Sequence, residues 1–227
     1  MLESSLLFEL VNAAAQRDPG ATALTQGTQS LSYQALHLQV QAFASGLMSL
    51  GLERGGRVAI YLDKRVETVV ASFGAPAAGC VFVPVNPLLK PEQVGYLMRD
   101  CDVRVLVTSA DRLAQLADVL GQCRALRCVV LTDSAPGAAL ASPVSQVSAL
   151  AWEALLSGPA RPGHRVIDTD MAAIFYTSGS TGMPKGVCCR TATWWRVPRA
   201  LHPIWATMVG TPCWQYCPCL SMPASAS

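Results

Sequence analysis

Apolar residues recur along most of this chain in two alternating rhythms. Leu6, Leu7, Leu10, Val11 and Ala14 fall at helical spacing over residues 4–16, and Asp18-Pro19-Gly20 ends that helix. Ser32 stands where an N-cap belongs, ahead of a helix from Tyr33 to about Leu50. That helix would place Leu36, Val40, Phe43 and Leu47 on one face, with Gly51 just past its end. Short, continuous apolar runs at 58–62, 80–85, 103–108 and 128–132 predict strands. Helices are predicted between them over 66–78, 91–101 and 110–121, the second opened by Pro91. Strand and helix therefore alternate, and the strands are rich in Val, Ile and Leu. This is the signature of an α/β fold whose mostly parallel sheet is covered by helices on both faces. Residues 134–149, rich in Ala, Pro and Ser, read as a loop, Trp152 falls in a short helix, and 166–176 leads into a glycine-rich segment. No internal repeat is visible.

Composition narrows the classes. At 227 residues, 51% hydrophobic and 14% charged, the chain has apolar material for a packed core and is too apolar for disorder. A net charge of +2 with no basic run argues against nucleic acid as a partner. Glu3 and Glu9 interrupt the first apolar stretch and no basic start precedes it, which argues against a secretory signal. No run reaches the roughly 18 apolar residues of a membrane span. A cytoplasmic location is expected, and the oligomeric state is not legible. Of nine cysteines, Cys80, Cys101, Cys123 and Cys128 are scattered through apolar segments, as small buried hydrophobes are.

The candidate chemistry lies in Tyr176-Thr177-Ser178-Gly179-Ser180-Thr181-Gly182-Met183-Pro184-Lys185-Gly186-Val187. Glycines let backbone amides turn toward an anion and let it approach closely. The hydroxyls add donors, and Lys185 adds a point charge suited to phosphate. The string is not a Walker A loop, because Lys185 follows Pro184 and Gly186 follows Lys185, and no G-x-G-x-x-G is present. It resembles the signature loop of the AMP-forming adenylating enzymes: acyl-CoA synthetases, acyl-AMP ligases, luciferases and peptide-synthetase adenylation domains. Upstream, Ser30-Leu31-Ser32-Tyr33-Gln34-Ala35-Leu36, Gly56-Arg57-Val58-Ala59-Ile60-Tyr61-Leu62 and Gly79-Cys80-Val81-Phe82-Val83-Pro84-Val85-Asn86-Pro87 are similar to that family's early segments. Residues 83–90 and 100–110 resemble those of acyl-CoA ligases associated with exosortase A systems.

The resemblance implies that residues 1–187 are the N-terminal portion of an adenylation domain, ending in its phosphate-binding loop. It implies ATP, Mg2+ and coenzyme A as cofactors and a small-molecule carboxylate, an acyl chain, as substrate. Thr177, Ser178, Gly179, Ser180, Thr181, Gly182 and Lys185 would hold the β- and γ-phosphates. The carboxylate would attack the α-phosphate, pyrophosphate would leave, and a thiol would take the acyl group. The family's adenine pocket, magnesium-binding acid, ribose-binding aspartate, hinge and mobile domain with its catalytic lysine have no counterpart in these residues. No catalytic residue and no metal ligand is therefore assigned, and the chain is expected to be inactive. The alternative is a nucleotide- or acyl-binding module without catalysis.

After Val187 the statistics change. Four of the five tryptophans and five of the nine cysteines fall in 188–227, and no Asp, Glu or Lys follows Lys185. The C-x3-C-x-C of Cys213, Cys217 and Cys219, with His202, is not a standard zinc spacing. The tail reads better as out of frame. Shifting back one base, Cys188–Cys189 forces leucine, Trp194–Trp195 forces valine, and Trp195 with a CGN codon for Arg196 gives alanine. The intervening codons permit Leu-Ser-His-Arg-Asn-Leu-Val-Ala, which resembles the segment directly after the phosphate loop in members of the family. Residues 188–227 are thus expected to be irregular. His37 and His164 lack a partner at telling spacing; His37 is read as a packing or surface residue, His164 as a loop residue, and Asp168 with Asp170 as a solvated turn.

Overall fold

The computed structural model describes residues 6–134, 144–177 and 184–192. Helix α1 (Glu9–Arg17) is followed by a two-stranded antiparallel hairpin, β1 (Thr22–Gln26) and β2 (Gln29–Ser32). Helix α2 (Tyr33–Ser49) starts where Ser32 Oγ accepts the Ala35 N–H at 3.2 Å, which satisfies one orphan amide of the first turn. Then come β3 (Arg57–Tyr61), α3 (Val66–Ala77), β4 (Val81–Pro84), α4 (Pro91–Asp100), β5 (Val103–Thr108), α5 (Ala110–Leu120) and β6 (Cys128–Leu131). Strand β7 (Ser148–Ala151), α6 (Trp152–Leu156), β8 (Met171–Thr177) and β9 (Lys185–Arg190) complete the described elements.

The main sheet has the order β7-β6-β5-β3-β4-β8-β9. Every pairing in it is parallel except β8 with β9. The alternation of side chains divides the core. Val58, Ile60, Val105, Val107, Cys128 and Val130 face the layer of α1, α2, α3 and α6. Ala59, Tyr61, Leu106, Val129 and Leu131 face α4 and α5. In the first layer Phe43 is fully buried, with its ring centroid 5.1 Å from that of Trp152. Gly74 allows α3 to approach α2 closely, since a Cβ there would lie 2.6 Å from Phe43 Cδ1. A third, smaller cluster of Val81, Val83 and Ile174 joins β4 to β8.

Three expectations need correction, and one element was not anticipated. The first helix starts at Glu9, and residues 1–5 lie outside the described residues. The hairpin β1–β2 is absent from the sequence pattern: its Thr, Gln and Ser positions lack the β-branched apolar run that marks the later strands. The stretch read as a loop to 149 ends in β7, which pairs in parallel with β6 through all four of its residues, although Ser-Ala-Leu-Ala carries no strand preference. The irregular tail expected from residue 188 is β-strand through Arg190, because Cys188, Cys189 and Arg190 extend the ladder on β8. Residues 193–227, with the zinc candidates, lie outside the described residues.

Candidate functional site

Strand β8, parallel to β4, ends in Thr177 at the carboxyl edge of the parallel sheet. Ala172 and Ala173 are buried against the α2–α3 layer, and Ala173 pairs with Phe82 of β4. Burial gives way to exposure toward Thr177. The chain returns as β9, with Tyr176 opposite Gly186 and Thr177 opposite Lys185. Directly opposed residues hold their Cβ atoms about 5 Å apart. Thr177 and Lys185 are therefore cross-strand neighbours at the end of β8 and the start of β9, both exposed. Of the predicted phosphate-binding residues, the structure brings these two together. Ser178, Gly179, Ser180, Thr181 and Gly182 lie outside the described residues.

The loops at the carboxyl ends of parallel strands are where open α/β sheets bind ligands. Among the described residues Lys185 has no ion-pair partner. Arg112, another cation beyond the carboxyl ends of the strands, is differently placed. The Arg112 guanidinium lies 4.7 Å from the Tyr61 ring centroid and donates to Asp63 Oδ1 at 2.8 Å and to the Pro87 carbonyl at 3.0 Å. It is committed to holding the turn after β4 against β3. Thr177 and Lys185 thus put a hydroxyl and, among the described residues, a cation without an ion-pair partner on one exposed edge.

Two contacts at the base of this hairpin were invisible in the sequence. The Tyr176 hydroxyl donates to Asp100 Oδ2 at 2.5 Å, and the Tyr96 hydroxyl donates to the Pro184 carbonyl at 3.5 Å. Burial, and then the neighbouring Asp100 carboxylate, push the Tyr176 phenol well above its usual range, so it stays a donor. The signal available beforehand was the four-residue spacing of Tyr96 and Asp100 on α4, which puts them on one helix face.

The remaining candidates are structural. Asp170 accepts two hydrogen bonds from Arg54 Nη2, at 2.7 and 2.8 Å, and one from the Ile167 N–H at 2.9 Å. Its carbonyl accepts the Thr191 N–H, and that of Asp168 accepts the Ala192 N–H, tying the end of β9 to the start of β8. His164 Nε2 lies 2.8 Å from the Leu52 carbonyl, so that nitrogen carries the proton, and its Cβ packs where a side chain on Gly79 would sit. His37 is half-buried on α2. A pocket of about 270 Å³ between β1 and the start of α3 is lined by Leu24, Val66 and Val69. Its Arg65 is paired with Glu67 at 2.7 Å. Among the described residues no three His, Cys, Asp or Glu side chains cluster as a metal site, and no helix is long and apolar enough to cross a membrane.

A family model for AMP-binding enzymes matches residues 11–219. The chain is 34% identical over 183 residues to N-(5-amino-5-carboxypentanoyl)-L-cysteinyl-D-valine synthase of Streptomyces clavuligerus, over 80% of this chain and 22% of that protein. It is 34% identical over 184 residues to an L-proline--[L-prolyl-carrier protein] ligase of Pseudomonas fluorescens, over 80% of this chain and 34% of the ligase. Among solved structures it is similar to a benzoate CoA ligase from Burkholderia xenovorans. The TM-score is 0.70 at 23% identity, over 86% of this chain and 36% of the other. At that identity the likeness is one of fold, and the fold is the expected one, part of the large domain of an adenylating enzyme. The chain spans about a third or less of the length of these curated relatives.

Proposed function

This chain belongs to the AMP-binding enzyme family, and from that premise we propose that it is the N-terminal part of a ligase that activates a small-molecule carboxylate as its acyl-adenylate and passes the acyl group to a thiol. The observation that carries the reading is the pairing of Thr177 with Lys185 across the mouth of the loop at the carboxyl edge of a parallel sheet. Lys185 supplies fixed positive charge where negative charge accumulates on the phosphates of ATP. Thr177, with Ser178, Gly179, Ser180, Thr181 and Gly182, supplies donors that orient them. Magnesium, when bound to ATP, neutralises phosphate charge, and no described side chain is assigned to it.

The acyl acceptor is read as coenzyme A, as in the acyl-CoA ligases that the sequence resembles. The carrier protein named for one relative supports a carrier-bound thiol as the second choice. We place the protein in the cytoplasm, where both acceptors occur. Residues 188–227 are read as an out-of-frame tail. Nucleotide sequence across codons 180–230 tests this, and an uninterrupted frame encoding these same residues, with no longer open frame beside it, refutes it.

Residues 1–227 alone are expected to catalyse no ATP–pyrophosphate exchange, because one phosphate-binding element without adenine and acyl pockets does not preorganise the reaction. Robust exchange by the purified chain would overturn that. Binding is the more direct test. Lys185→Ala is expected to weaken ATP binding about 10- to 100-fold in calorimetry, the range for losing a charge-assisted contact of about 1.5–3 kcal/mol. Equal affinity in the two proteins would remove Lys185 from the site.

A further inference from the structure

Tyr96 and Asp100 lie one turn apart on α4; Asp100 reaches the end of β8, and Tyr96 reaches the residue just before β9. Asp100 accepts from Tyr176, the residue before Thr177, and Tyr96 donates to the carbonyl of Pro184, the residue before Lys185. The Tyr176 ring in turn lies over Gly186, where an added Cβ would come within 3.3 Å of its Cζ and 3.1 Å of Ile174 Cγ2. The end of α4 is itself anchored. Arg57 Nε donates to the Cys101 carbonyl at 2.5 Å, and Cys101 Sγ donates to the Leu97 carbonyl at 3.1 Å.

The sheet holds this end of the hairpin weakly. Strand β8 is laddered to β4 through one residue pair, Phe82 with Ala173, and β9 has no buried residue. A phosphate-binding pair needs its separation and direction set before the ligand arrives, since misplacement by about 1 Å can cost on the order of a hundredfold. We propose that Tyr96 and Asp100 are positioning residues: a clamp on α4 that sets how Thr177 and Lys185 face a bound triphosphate. The proposal rests on the reading of that pair as a phosphate site. It adds a helix remote in sequence to the determinants of nucleotide affinity.

The test uses the full chain, with inorganic tripolyphosphate as probe, and measures binding alongside amide hydrogen exchange and urea unfolding. Asp100→Ala is expected to weaken tripolyphosphate binding about tenfold and to speed exchange at Thr177, Gly186 and Val187, with the urea midpoint little changed. Asp100→Asn keeps an acceptor for the Tyr176 hydroxyl and is expected to restore both to within about twofold. Tyr176→Phe should match Asp100→Ala, and the double variant should be no worse than either single one, since both remove the same bond. Tyr96→Phe is expected to cost less, about threefold, as befits its longer contact. Unchanged binding and unchanged hairpin exchange in Asp100→Ala would overturn the clamp. So would accelerated exchange throughout the sheet with a matching fall in urea midpoint, which marks a general packing role. If the unaltered chain fails to bind tripolyphosphate, the phosphate reading falls instead. Hairpin exchange in Asp100→Ala against Asp100→Asn then decides the clamp alone.

Discussion

Strand β6 buries all of its residues and β9 buries none, although both belong to one sheet. The first is held by layers on both sides: Cys128 and Val130 face α2 and its neighbours, and Val129 and Leu131 face α4 and α5. The second is held by its ladder to β8, by the partly buried Cys189 against the core, and by a few polar contacts at its two ends. The centre is thus fixed by apolar burial, which is large, non-directional and tolerant of detail. The candidate site is fixed by hydrogen bonds, which are individually small and specific in direction. The candidate site sits where placement depends on a handful of groups.

The sharpest way to break this contrast is at the centre. Phe43→Ala would empty the space between Trp152 and Gly74 and is expected to cost about 3–5 kcal/mol, read as a shift of the urea midpoint. Val187→Ala on β9, where the residue is 48% exposed, is expected to stay within about 0.5 kcal/mol. A comparable loss at the two positions would mean that β9 is packed far better than its exposure implies. Cysteine reactivity probes the same contrast without mutation. Cys80 is buried on the α2–α3 side, and burial pushes its thiol up to about 12, so it should resist alkylation at pH 8 until the chain unfolds. Cys188 is exposed on β9 and should be modified first among the described cysteines. Mass spectrometry of partially alkylated protein orders the sites, and early labelling of Cys80 would contradict the packed centre.

The same contrast explains what could be read from the sequence. Strands β3 to β6 were legible because burial on both faces demands unbroken runs such as Val103 to Thr108. Helix α2 was legible because a cap and a stripe mark it together. Strand β7 was hidden: Ser-Ala-Leu-Ala becomes a strand through pairing with β6, which local preference does not encode. At the site, Thr177 and Lys185 were named by the motif that contains them. Asp100 was not, because its partner Tyr176 is 76 residues away and no local pattern announces the contact. Nor does the sequence announce Asp170 as the anchor of Arg54, 116 residues earlier, since its local pattern suggests a solvated turn.

That anchor gives a small expected effect, and its sign is fixed. The hydrogen bond from Arg54 holds the Asp170 carboxyl below its ordinary value, because it favours the charged form. A group whose folded value is depressed adds stability above its unfolded value, and loses it as pH falls through the folded one. The urea midpoint should therefore decline as pH drops below about 4, and Asp170→Asn should lose part of that decline while lowering the plateau at neutral pH. The pair is partly exposed, with side-chain exposures of 51% for Arg54 and 24% for Asp170, so its contribution is screened and expected to remain under about 1 kcal/mol. Raising the salt concentration should shrink it further. Asp170 also accepts the Ile167 N–H and joins the start of β8 to Thr191, so the local effect should exceed the global one. Amide exchange at Ile167 and Thr191 should quicken in Asp170→Asn while that of β5 and β6 stays unchanged. A uniform change across the sheet would place Asp170 with the centre of the molecule, and not with its weakly held end.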